Sequence, residues 1–139
     1  MKFSLSGAGN DKPTAETNGI RISVDARYAP MYSAPPFRYF YAYHVTIANT
    51  GTATVQLVSR RWVITDANGK VQVVEGPGVV GEQPYIAPGE EFEYTSGCPL
   101  PTPYGEMHGW YRMVDHRGEE FTAQIPTFKL IHVEDNALH

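Results

Sequence analysis

Arg38-Tyr39-Phe40-Tyr41-Ala42-Tyr43-His44-Val45-Thr46-Ile47-Ala48 decides the fold class. In an extended chain Tyr39, Tyr41, Tyr43, Val45 and Ile47 share one face, and Arg38, Phe40, Ala42, His44, Thr46 and Ala48 share the other. Side chains alternate with period two along a strand, so the run offers one face to a core and one to solvent. Its aromatic and β-branched residues suit a pleated, half-buried surface. Asn49-Thr50-Gly51-Thr52 then closes the strand as a turn.

The same pattern extends in both directions. Upstream, Ile22, Val24, Ala26 and Tyr28 alternate with Arg21, Ser23, Asp25 and Arg27, and Pro30, Pro35 and Pro36 end that strand because proline cannot donate to a ladder. Downstream, the run from Thr54 to Thr65 changes parity, with Val55 and Leu57 first and Val58, Trp62 and Ile64 afterwards. That shift predicts a β-bulge or a change of sheet near Val58-Ser59. Asp66-Ala67-Asn68-Gly69 is a turn that folds Lys70 to Val74 back as a hairpin. Phe92, Tyr94 and Cys98 mark a fifth strand, Met107, Tyr111 and Met113 a sixth, and Phe121, Ala123 and Ile125 a seventh, the last two joined by Asp115-His116-Arg117-Gly118.

About seven short strands with no crossover helix predict an all-β fold, a two-sheet antiparallel sandwich of the immunoglobulin or fibronectin type III kind, with a small barrel as the alternative. The 139 residues suit one domain. We expect that domain over residues 19–130, between flexible tails at 1–18 and 131–139. Cys98 is the sole cysteine, which removes the Cys, Trp, Cys arrangement of true immunoglobulin domains and any intrachain disulfide. A reducing compartment fits.

The 11 Lys and Arg are scattered among 15 Asp and Glu, for a net charge of −4, and nucleic-acid binding, which draws on clustered positive charge, is disfavoured. The opening MKFSLSGAGNDK lacks the apolar stretch of a secretory signal, and no later run approaches a membrane span. The expectation is a cytoplasmic protein, without nucleic-acid or membrane partners, existing as a monomer or weak dimer.

Gly76-Pro77-Gly78-Val79-Val80-Gly81 follows the pattern GxGxxG after a strand. Gly76, Gly78 and Gly81 are therefore candidates for a nucleotide phosphate, provided a helix begins there and offers free backbone N–H groups. Gln83-Pro84 and Pro88-Gly89 come too soon for a helix, and Glu75 and Glu82 repel phosphate. The bland reading is a glycine-rich connection with unusual backbone angles.

His44, His108 and His116, with Glu106 or Asp115, are candidate metal ligands only if the fold gathers them, since no HxH or HExxH spacing is present. Otherwise they are ordinary surface or hydrogen-bonding groups. Cys98 has no base nominated by spacing and reads as a small buried residue. Glu90-Glu91 and Glu119-Glu120 read as solvated strand starts. Phe40 and Trp110 lie off the core parity, and Tyr32, Phe37, Tyr85 and Tyr104 lie in loops. Phe40, Tyr85 and Trp110 are thus candidates for a partner surface, unless the sheets and loops bury them.

Several longer stretches carry a resemblance. Residues 61–70, RWVITDANGK, and 74–84, VEGPGVVGEQP, are similar to the ApaG family, as are Ala87-Pro88-Gly89-Glu90, the run YTSGCPLPTP at 94–103, and MHGWYRMVD at 107–115. The likeness covers about Ile20 to Leu130. It implies a fibronectin type III-like sandwich that stands alone in bacteria and serves as a module in eukaryotic F-box proteins and a polymerase-interacting protein. It also implies a link to cobalt tolerance and magnesium efflux, and a neighbouring gene for a diadenosine tetraphosphate hydrolase. The resemblance supplies no catalytic residues.

The leading expectation is a non-enzymatic module for a protein partner, needing no cofactor. The rival is a protein that binds a divalent metal or a phosphorylated nucleotide through the glycine-rich loop, and an enzyme comes third.

Overall fold

In the computed structural model, which describes residues 12–132, nine strands form two antiparallel sheets. They are β1 (Thr14–Thr17), β2 (Ile20–Tyr28), β3 (Tyr39–Asn49), β4 (Val55–Asp66), β5 (Val71–Pro77), β6 (Tyr85–Ile86), β7 (Glu91–Leu100), β8 (Tyr104–Asp115) and β9 (Glu120–Ile131). One sheet runs β1-β2-β3-β7. The other runs β5-β4-β8-β9, with β6 also on β4. The chain is the expected sandwich.

Alternation works as the sequence predicted. Tyr41, Tyr43, Val45 and Ile47 of β3 are buried against Ile22 and Val24 of β2 and against Leu57, Trp62, Met107, Tyr111 and Met113 of the other sheet. Trp62 stands edge-on to Tyr43 and Tyr111 at ring separations of 5.2 and 6.3 Å, an arrangement that aromatic quadrupoles favour.

The parity change in β4 is a bulge. Leu57 pairs with Met113 and Ser59 with Arg112, leaving Val58 as the extra residue. A second register shift places Pro126 and Thr127 of β9 opposite His108 of β8. Each bulge rotates the following side chains to the other face. After Val58 the inward set becomes Arg60, Trp62, Ile64 and Asp66.

The expected tails need correction. Thr14 to Thr17 pair with Ser23 to Ile20 as an edge strand, and the Gln124 N–H donates to Thr17 Oγ1 at 3.2 Å. The tail expected over 1–18 therefore contains β1, which the sequence hid because its side chains are not alternately apolar. At the other end Ile131 completes β9, and His132 stacks 4.0 Å from Tyr28. Residues 1–11 and 133–139 lie outside the described residues.

The two long sides of the sandwich differ. On one, β1 and β2 pack against β9. On the other, β5 and β7 stand apart, and two adjoining clefts open between the sheets.

Candidate functional site

The glycine-rich segment turns instead of starting a helix. Val79 N–H donates to Glu82 O and Glu82 N–H to Val79 O, both at 2.8 Å. Val80 and Gly81 between them have φ of 42° and 82°, which makes a two-residue type I′ hairpin. Gly78 N–H donates to the carbonyl of the bulged Val58 at 2.8 Å. The N–H groups of Gly78, Val79 and Glu82 are committed to carbonyls and no helix begins after β5, so Gly76, Gly78 and Gly81 do not sit at a helix N-terminus of the kind that holds a pyrophosphate. Gly78 is required by space, because a Cβ there would lie 2.0 Å from Glu82 O. Beside the turn, Val80 is 53% and Tyr85 71% exposed.

The three candidate histidines are kept apart by the alternation that makes the sandwich. His44 points off the outer face of the β3 sheet, where Nδ1 meets Thr95 Oγ1 and Nε2 meets Glu93 Oε1, each at 2.8 Å. His108 points off the outer face of β8 in the opposite sheet, and His116 sits exposed in the β8–β9 turn. Glu106 is paired with Lys129 at 3.3 Å. Asp115 accepts the N–H groups of Glu119 and Arg117 at 3.0 and 2.8 Å, which pull its pKa down. Among the described residues no three His, Cys, Asp or Glu side chains are grouped to hold a metal.

Cys98 is buried on β7, with its thiol 3.7 Å from Pro99 O. Burial pushes its pKa up to about 11, so it is a neutral thiol near pH 7 and not the nucleophilic thiolate.

Sequence reasoning missed Arg60. The bulge at Val58 turns this arginine to the inner face, where its Nη1 donates to the carbonyls of Pro77 and Gly78, both at 2.9 Å. Its guanidinium lies over Gly76 across the ladder, within 3.0 Å of where a Cβ would be. The signal was present, because Arg60 shares the parity of Trp62 and Ile64. Charge alone argued for the surface.

The candidate aromatics separate. Phe40 is half-buried, with its ring over Gly97 and 5.7 Å from Tyr32. Trp110 is half-buried beneath the Arg61 guanidinium, 5.0 Å from the ring centre, and Arg61 also pairs with Glu75. The connection from β2 to β3 is barer. Met31 is 91%, Tyr32 66% and Phe37 83% exposed.

The ApaG domain signature matches residues 31–115. This chain belongs to the ApaG domain family. ApaG of Rhodospirillum centenum is 56% identical over 115 residues, 82% of this chain and 88% of the relative. ApaG of Acidithiobacillus ferrooxidans is 52% identical over 121 residues, 86% and 93% of the two chains. A crystal structure of the Bordetella pertussis ApaA protein superposes with a TM-score of 0.78 at 50% identity, covering 86% of this chain and 95% of that one. The ApaG relatives thus span the sandwich, and none of these names carries an enzymatic activity.

Proposed function

We propose that this ApaG-family chain is a non-catalytic module that binds a protein partner through the β2–β3 connection. The observation that carries this reading is the exposure of Met31, Tyr32 and Phe37 on one short loop. A monomer gains nothing from holding such side chains in water, and contiguous exposed apolar patches mark interaction sites. Phe40 forms the half-buried base of the cluster beside Tyr32. Arg38 Nη2 donates to Tyr32 O at 3.0 Å and brings an arginine to the same loop, matching the Tyr and Arg enrichment of binding hot spots. Val80 and Tyr85 form a smaller patch at the glycine turn.

In this reading the link to cobalt tolerance and magnesium efflux runs through the partner and not through a metal held by this chain. The module acts in the cytoplasm as a monomer or weak dimer, and its domain is the sandwich with β1 included. Among the described residues no helix is long and apolar enough to cross a membrane.

The test compares two immobilised chains, unchanged and Met31→Ser/Phe37→Ser, against lysate of the natural host. A protein retained by the first and lost by the second is then purified and titrated by calorimetry against both. Binding to the unchanged chain alone, with matching thermal unfolding of the two, supports the reading. Equal binding by both removes this loop from the interface.

A further inference from the structure

Arg60 is half-buried at the mouth of the space between the sheets, where its guanidinium stays charged and keeps one edge open to solvent. Its pairing within the protein is incomplete. Nη1 is held by two backbone carbonyls, but no carboxylate among the described residues pairs with Arg60 within 4.0 Å, unlike Arg61, Arg112 and Arg117. The donors on Nε and Nη2 have no protein acceptor there.

Arg60 lines a cleft of about 260 Å³ between β5 and β7. Its apolar walls include Trp62, Val74 and Met107, and its polar groups include Ser96 and Gln72. The adjoining cleft, about 340 Å³, brings Lys70 to the same opening. Asp66 lies there too, but its Oδ1 already accepts the N–H groups of Asn68 and Lys70 at 2.9 and 3.0 Å. The first cleft, at about 260 Å³, is at the small end for a ligand pocket and suits a single ring with a short acidic arm.

We propose that the cleft between β5 and β7 binds a small aryl carboxylate, with the carboxylate on the Arg60 guanidinium and the ring against Val74, above the buried Trp62 and Met107. The planar guanidinium fork matches a carboxylate. A few polar groups at the mouth of an apolar slot match the usual build of small-molecule sites. The site is independent of the protein-binding loop.

The test uses the full chain, isotope-labelled, with the Trp62 indole N–H, the Met107 methyl and the Gln72 amide followed by NMR. Phenylacetate, neutral phenylacetamide and inorganic phosphate are titrated separately to millimolar concentration. The expected result is saturable shifts at those three residues with phenylacetate, with affinity at least roughly tenfold weaker for phenylacetamide. Arg60→Gln should weaken phenylacetate by a similar factor, whereas Arg21→Gln on the outer face should not. No saturation by phenylacetate overturns the proposal, as does equal binding of phenylacetamide or an equal response to phosphate. These comparisons hold on the unchanged chain even where Arg60→Gln disturbs folding.

Discussion

The Tyr94 hydroxyl lies 2.5 Å from the Tyr111 hydroxyl inside the sandwich, joining β7 of one sheet to β8 of the other. Each phenol supplies the other's partner in a region that water does not reach.

Removing one partner strands the other. Tyr111→Phe leaves the Tyr94 hydroxyl buried and unpaired, and the expected loss is about 1–3 kcal/mol by urea unfolding. Tyr94→Phe/Tyr111→Phe should lose less than the sum of the single changes, because no orphan remains.

Alkali should loosen the fold. Burial raises the Cys98 pKa from 9.0 to about 11 and the Tyr41 pKa from 10.0 to about 12, and it is the largest cause in each. The folded state therefore holds these protons more tightly than the unfolded state. Their contribution is complete below the unfolded values and is lost as pH rises through the folded ones. Urea midpoints should fall between pH 9 and 12, and Cys98→Ser should reduce the early part of that fall.

Gly109 marks a close backbone approach. A Cβ there would lie 1.9 Å from Arg61 O and 3.1 Å from Trp62 Cα. Neither atom can rotate away, so Gly109→Ala should cost about 4 kcal/mol or more. Circular dichroism melts will show this as a large drop in Tm. Gly118→Ala, with open space around it, should cost far less despite its φ of 83°.

Val80 occupies a left-handed position at φ 42° with a β-branched side chain, a combination that strains the backbone by about 1 kcal/mol or more. Asparagine suits the first position of a type I′ turn. Val80→Asn should therefore raise stability by about 1 kcal/mol in urea unfolding.

How legible these features were depends on period. Residues 38–48 announced their strand because each inward residue is large and apolar. The bulge was legible as a parity change, and its location at Val58 came from the same signal. Arg60 was not, because its charge outweighed its parity in the reading. β1 was invisible, since Thr14-Ala15-Glu16-Thr17 is held by ladder bonds along β2 and lacks an apolar stripe. Whether His44, His108 and His116 meet depends on sheet order, which residue spacing does not encode. Phe40 and Trp110 were correctly placed off the core parity. Their covers, the Tyr32 loop and the Arg61 side chain, come from contacts that no local pattern announces.

The edge pairing of β1 with β2 sets a lower limit on what evolution can transplant. The ApaG signature ends at residues 31 and 115, yet Ile22 and Val24 before it and Ala123, Phe128 and Leu130 after it are sealed in the same core. A fusion that borrowed only the signature would carry two sheets with their shared seam torn open. Any larger protein that uses this module must take it with both flanks, whose outermost described strands, β1 and β9, pack against each other on the closed edge.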